Sequence, residues 1–343
     1  MTACARRLLF AALPAALAAA GLAATATAQP AQPAPIELKV SHYLPPNHTV
    51  QKVLEDWGQE IDTRSGGRLK LRIYPAGQLG PVQRQFDLAR NGQADMAVGL
   101  TGATPGRYPV TELAGLPFVA PAGALTSAVM SRRLTELGPK YLAPEFAGLR
   151  MLWVGAQPGN TIFTARREIT GIGDFKGLKL RFQGEQHART LRDLGAVPLQ
   201  VPPGDVSDSM SKGVIDGAIF NYEAAESFGL GAVTRHVLEP SFITGTLILA
   251  MNKGRYDALP PDLRAIIDET CGPAAAEKLG ARWDAAEAHG RDAMLAAGVK
   301  IDTLPPAQVE RLRETLRPMV KEAVDALDKA GKPASPFLAD YTR

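Results

Sequence analysis

The chain has 343 residues, 45% of them hydrophobic and 21% charged, with a formal net charge of +3. So small a charge, with no Lys/Arg-rich run, argues against a nucleic-acid surface. Of two cysteines, Cys4 lies at the extreme N-terminus, so no intrachain disulfide supports the fold, and Cys271 reads as a core or inert surface thiol.

Arg6-Arg7, an apolar run from Leu8 to Ala24 and Ala26-Thr27-Ala28 have the order of a secretory signal, cleaved after Ala28 (residues 1–28). The alternative is an uncleaved anchor, for which the Ala-rich run with Pro14 and Gly21 is poorly suited. Residues 29–35 (QPAQPAP) read as a disordered leader. Removal of the two signal arginines brings the net charge to about +1. The roughly 315 residues that remain are enough for two domains sharing a hinge.

Ile36–Ser41 alternates as a first strand. A helix follows over 48–64 with Val50, Val53, Leu54, Trp57 and Ile61 on one face and Gly66-Gly67 beyond its end. A strand at Leu69–Tyr74, a turn, a helix over 82–90 and a strand at 94–99 complete a βαβαβ run, which builds a parallel sheet with right-handed crossovers. Ligands bind such sheets outside the carboxyl ends of the strands. A strand over 149–154 leads into a second half, with strands expected at 161–164, 178–182, 197–201 and 217–220 and helices at 186–194 and 206–212. The apolar segment 242–251 returns the chain to the first half. From Pro261 to Ala297 the sequence is helix-forming, interrupted near Gly272-Pro273 and at Gly290, and Pro305-Pro306 opens a last helix to Ala330.

LKLRI (Leu69–Ile73) with NGQADMAVG (Asn91–Gly99) has a second copy in LKLRF (Leu178–Phe182) with KGVIDGAIF (Lys212–Phe220). The offsets of the two blocks differ, which excludes a short-period solenoid. Two related α/β halves suggest two lobes across a cleft that closes on a small molecule. The division expected is 36–159 for the first lobe, with 243–280 returning to it, and 160–242 for the second, with 281–343 packing on it and across the hinge.

Arg181 ends its strand with Leu178, Leu180 and Phe182 pointing the other way. It is either a cleft guanidinium, whose planar donors match a carboxylate, or an exposed charge like its repeat partner Arg72. His42-Tyr43 after the first strand is a hydrogen-bonding, stacking wall or a packed aromatic pair. Phe220-Asn221 follows the last repeat strand, where it could meet ligand or serve as core and turn. The histidines are scattered, so no metal site is expected. G-x-S-x-G, H-E-x-x-H and the phosphate-loop motif are absent. Gly171, Gly173 and Gly177 have the wrong spacing and context for a dinucleotide fingerprint. No cofactor is expected; the chain reads as a binder, not an enzyme.

Residues 175–220 (FKGLKLRFQGEQHARTLRDLGAVPLQVPPGDVSDSMSKGVIDGAIF) resemble the signature region of the DctP-type substrate-binding proteins of TRAP (tripartite ATP-independent periplasmic) transporters. The matching pieces are Lys176–Arg181, Leu194–Pro198, Asp205-Val206 and Gly213–Gly217. Earlier, Tyr74–Gly80, Asn91–Met96 and Leu116-Pro117-Phe118 are also similar, so that the resemblance runs from about residue 36 to 330. It implies a type II-like periplasmic binding protein fold of two α/β lobes, joined by crossing strands and a long C-terminal helix. It also implies a small organic acid as ligand, one small and one large membrane subunit as partners, a monomer, and location in the periplasm of a Gram-negative bacterium. The family's carboxylate-binding arginine falls on Arg181, with His42, Tyr43, Gln78 and Thr101 waiting on the other lobe. A second arginine frequent in the family is replaced by Thr161, with Arg166 nearby as a substitute or a surface charge. The family's asparagine becomes Phe220, with Asn221 next to it. These departures count against a sialic-acid-like, heavily hydroxylated ligand and allow a more apolar or aromatic carboxylate. A ligand-sensing receptor on the same fold and a secreted enzyme are the competing readings.

Overall fold

The computed structural model describes residues 34–119 and 126–343. The expected secretion signal and all but the last two residues of the leader lie outside the described residues.

The first lobe is built from β1 (Ile36–His42), α1 (Thr49–Arg64), β2 (Leu69–Tyr74), α2 (Gln85–Arg90), β3 (Met96–Leu100), α3 (Ser127–Leu137) and β4 (Leu149–Ala156). β1 pairs in parallel with β2 and β3, as the βαβαβ pattern requires. α1 lays Val50, Leu54, Trp57 and Ile61 onto this sheet at helical spacing, and Gly66 and Gly67, both at positive φ, turn the chain after it. α3 lies in a stretch for which the sequence suggests no element.

The second lobe comprises β5 (Thr161–Thr164), β6 (Lys179–Arg181), α4 (Glu185–Asp193), β7 (Val197–Leu199), α5 (Val206–Ser211), β8 (Gly217–Phe220), α6 (Tyr222–Ser227) and β9 (His236–Glu239). The chain then passes through β10 (Thr246–Asn252), α7 (Lys253–Asp257), α8 (Pro261–Thr270), α9 (Pro273–Ala296), β11 (Lys300–Thr303), α10 (Pro306–Lys329) and α11 (Ala334–Tyr341). The sheets run β2-β1-β3-β10-β4 and β11-β9-β5-β8-β6-β7. β10 lies between β3 and β4 and runs antiparallel to both.

The topology corrects the repeat. β6 is flanked in parallel by β7 and β8, as β1 is by β2 and β3, so β6 corresponds to β1 and not to β2. Asp95 accepts the Lys39 N–H at 2.8 Å and returns its own N–H to the Lys39 carbonyl; Asp216 does the same with Lys179. The Asp blocks are therefore true counterparts, whereas the matching segment for LKLRFQ is LKVSHY (Leu38–Tyr43). Leu-Lys strand openings are common enough for the wrong pair to look alike.

Two strand connections cross between the lobes side by side. Gln157 N–H donates to the Gly245 carbonyl, and Asn160 and Ile243 form a further bridge. Two helices also span the lobes. α9 packs Leu279 and Trp283 in the first-lobe core and Met294 in the second; α10 places Leu312 and Leu316 in the second and Met319 and Ala323 in the first. α11 returns Phe337 and Tyr341 to the first lobe. Gly290 does not interrupt α9. A Cβ there would sit 2.7 Å from the backbone of Tyr222, so the glycine admits α6 close against the helix.

Candidate functional site

Arg181 is 2% exposed at the carboxyl end of β6, where Cα pairing sets it beside Leu199 and Ala218. Its Nη1 donates to the Ile219 carbonyl at 3.0 Å and its Nε to the Val201 carbonyl at 3.3 Å. The guanidinium carbon lies 4.5 Å from the centroid of the Phe220 ring, a cation–π arrangement. Burial pulls its pKa down to about 10, offset in part by Tyr43. Among the described residues no carboxylate pairs with it. A guanidinium has five N–H donors, so two carbonyl bonds leave donors free, and a buried charge without a counter-ion is costly.

Half-buried Tyr43 faces this charge from the first lobe. Burial pushes its hydroxyl pKa up, Arg181 pulls it down and Glu223 raises it, so all three groups share one electrostatic neighbourhood. The hydroxyl stays protonated and can donate to an acceptor held by Arg181.

The other expected contacts divide. Thr101 is buried at the end of β3, its hydroxyl 2.6 Å from that of Thr246, and it lines a cavity between the lobes. Phe220 is the platform beneath Arg181. Asn221 caps α6, donates Nδ2 to Glu287 at 2.9 Å, and keeps a buried Oδ1 without partner. His42, by contrast, is committed within its own lobe. Nδ1 accepts from the Leu44 N–H and Nε2 lies 2.6 Å from Gln51 Oε1, while burial pulls its pKa down to about 4. Thr161 donates its hydroxyl to the Leu238 carbonyl. Gln78 is exposed in the turn after β2. Arg166 is exposed beyond Thr164, which pairs with Gly217 at the start of β8, whereas the cleft lies at the Phe220 end. It therefore does not stand in for a second cleft arginine.

No sequence motif marks the contacts that join the lobes. Glu223 on α6, 4% exposed, accepts the Thr49 N–H and hydroxyl at 2.9 and 3.0 Å, Trp283 Nε1 at 3.0 Å, and lies 3.1 Å from His48 Nε2. Burial outweighs the carboxylate and pulls the His48 pKa down, so a neutral ring donates this bond; its Nδ1 accepts from the Val50 N–H. Glu287 in turn accepts the Tyr222 and Glu223 N–H groups. At the far rim a Cβ on Gly102 would lie 2.8 Å from the Gly184 Cα, so the lobes touch there. Near the crossing strands Asn160 Nδ2 donates to Gln157 at 2.9 Å and Gln183 at 3.4 Å. Such pairings are set by tertiary contact, and a lone Glu, His or Gln carries no spacing signal for them.

Two α/β lobes joined by crossing strands and shared helices, with a buried guanidinium between them that has no carboxylate partner among the described residues, define a two-lobed solute-binding protein. The chain belongs to the DctP family, the bacterial extracellular solute-binding proteins of family 7, whose family model matches residues 40–326. A TRAP solute-binding protein of Rhodoferax ferrireducens, solved with copurified benzoate, is 30% identical with a TM-score of 0.84, covering 90% of this chain and 96% of its own. A marine metagenome protein specific for aromatic acids, solved with 3-hydroxybenzoate, is 28% identical with a TM-score of 0.85, covering 90% and 97%. A Bordetella bronchiseptica protein, solved with both mandelates, is 29% identical with a TM-score of 0.82, covering 90% and 98%. The relatives are solute-binding proteins of TRAP systems, not enzymes.

Proposed function

We propose that this chain is the periplasmic receptor of a TRAP transporter, that it captures a small aromatic carboxylate through Arg181, and that it delivers it to the small and large membrane subunits as a monomer. The observation that carries this reading is the Arg181 guanidinium: buried, stacked on Phe220, with no carboxylate partner among the described residues, and opposite Tyr43. A ligand carboxylate would neutralise it, and the Phe220–Arg181 stack would border the ligand's ring. The benzoate, 3-hydroxybenzoate and mandelate bound by similar proteins support an aromatic body.

Closure follows from the same groups. In an open state the carboxylate meets Arg181 in water. Bringing Tyr43 and Thr101 against the ligand expels that water, which strengthens the charge-assisted bonds. Contacts from both lobes exist only when closed, so ligand shifts the population to that state. The shape change is what the membrane subunits would read.

Calorimetry with benzoate tests the anchor. Arg181→Ala is expected to weaken binding by roughly 100-fold or more, the scale for removing one partner of a buried charge pair, with the melting transition retained. Unchanged affinity would overturn the assignment. Mass spectrometry of the periplasmic fraction tests the location: a mature chain starting at Gln29 is expected, and an intact N-terminus would sink it.

A further inference from the structure

A small cavity of about 20 Å³, room for a single oxygen-sized group, lies between the lobes beside the anchor. Thr101, Gly102 and Glu112 line it from the first lobe, and Gln183, Gly184 and His187 from the second. Gln183 is two residues beyond Arg181, and the Arg181 charge acts on His187, so the cavity lies within electrostatic reach of the anchor.

Two of its lining residues carry a buried polar atom with no partner among the described residues: His187 Nδ1 and Glu112 Oε1, on residues 5% and 8% exposed. His187 Nε2 lies 2.7 Å from the Thr244 carbonyl. A carbonyl only accepts, so the ring hydrogen sits on Nε2 and Nδ1 presents a bare lone pair. Burial and Arg181 keep this ring neutral, with its pKa pulled down to about 4. Burial, reinforced by Glu145 and Glu185, pushes the Glu112 carboxyl up to about 8, so near neutral pH it is an acid with a proton to donate. One lobe offers an acceptor and the other a donor. A hydroxyl has one hydrogen to give and lone pairs to receive, so it can satisfy both.

We propose that His187 and Glu112 form a subsite for one uncharged hydroxyl of the bound acid, and so select hydroxy acids over their unsubstituted parents. This rests on the carboxylate reading of Arg181 and goes beyond it by naming the ligand's second functional group. The two partners come from different lobes, so the hydroxyl also rewards closure.

The test is calorimetry with benzoate against its three monohydroxy isomers, and phenylacetate against mandelate and phenylglycine. At least one hydroxy acid is expected to bind about tenfold tighter than its parent, the scale of one well-made hydrogen bond in a buried site. Phenylglycine, which places an ammonium where mandelate has its hydroxyl, should gain nothing. His187→Leu should erase the preference while the parent acid keeps its affinity within about threefold. Glu112→Gln, which still donates, should retain the preference, and Glu112→Leu should lose it. Equal affinity for every parent and hydroxy acid, a preference surviving His187→Leu, or phenylglycine as the tightest ligand would each overturn the subsite and leave the Arg181 reading standing. Failure of all the acids to bind would overturn both.

Discussion

The two lobes repeat one βαβαβ unit and use its central strand differently. In the first lobe that strand is β1, in the second β6, and the Asp95 and Asp216 clasps place Lys39 and Lys179 at the same step. Two residues further on stand Ser41 and Arg181, both buried. Ser41 donates its hydroxyl to Gln85 at 2.7 Å and is finished within its lobe. Arg181 is left with free donors at the cleft. A buried charge stands in one copy of the scaffold, and at the same step the other copy has an uncharged hydroxyl. Arg72, the match suggested by LKLRI, lies on the edge strand β2, exposed and 3.6 Å from Glu37. Its exposure there leaves it a surface charge.

The comparison breaks most visibly if the charge is moved. Ser41→Arg puts a guanidinium where the surroundings are complete and no anion is due. A loss of about 3–5 kcal/mol in urea unfolding is expected, the scale of a buried, uncompensated charge. Stability close to the parent would mean that both copies tolerate a cleft arginine.

Glu112 lies between β3 and α3 in the first lobe, and its effect depends on pH. Its carboxyl stays protonated in the fold up to about pH 8, whereas the unfolded chain releases the proton near the ordinary value of 4.5. The folded state binds more protons across that window, so its stability falls as pH rises from 4.5 to 8 and is fully present below it. Glu112→Gln should match the parent near pH 4.5 and gain on it above, by at most about 1.4 kcal/mol per pH unit. A difference that does not vary with pH would show that Glu112 ionises normally.

Glu223 joins the lobes and is smaller in effect. Glu223→Ala strands the Thr49, Trp283 and His48 donors, at a cost of about 2 kcal/mol. The ligand-free protein should also show a larger radius of gyration in X-ray scattering. An unchanged radius would mean that the bridge does not hold the cleft closed.

The parts legible in the sequence are those with short-range causes. β1, α1 and β2 follow from alternation, helical spacing and a double-glycine stop, and their ranges agree with the structure to within a residue or so. α3 carries no such punctuation; β9 and β11 are four-residue strands defined by their neighbours. At the site, Arg181 was marked by its strand-end position and by the family resemblance. His42 and Thr161 also sit at strand ends, but Leu44 and Gln51 occupy the first and the Leu238 carbonyl the second. Position on a sheet could be read from the chain, whereas the hydrogen-bond commitments that decide between ligand contact and scaffold could not.

The clasp itself gives the finest test of the repeat. Asp95 and Asp216 each hold the N–H of a central-strand lysine, and each is half-buried at the end of the strand away from the cleft. Asp216→Ala should cost about 1 kcal/mol in urea unfolding, the net value of one such bond. Asp95→Ala should cost somewhat more, because Asp95 also accepts Arg255 Nε at 2.9 Å. Removing that extra tie first, by Arg255→Ala, should bring the two aspartates level. If Asp216→Ala then proves neutral while Asp95→Ala does not, the clasp is shared geometry without shared energetics. The lobes would then be alike in topology alone.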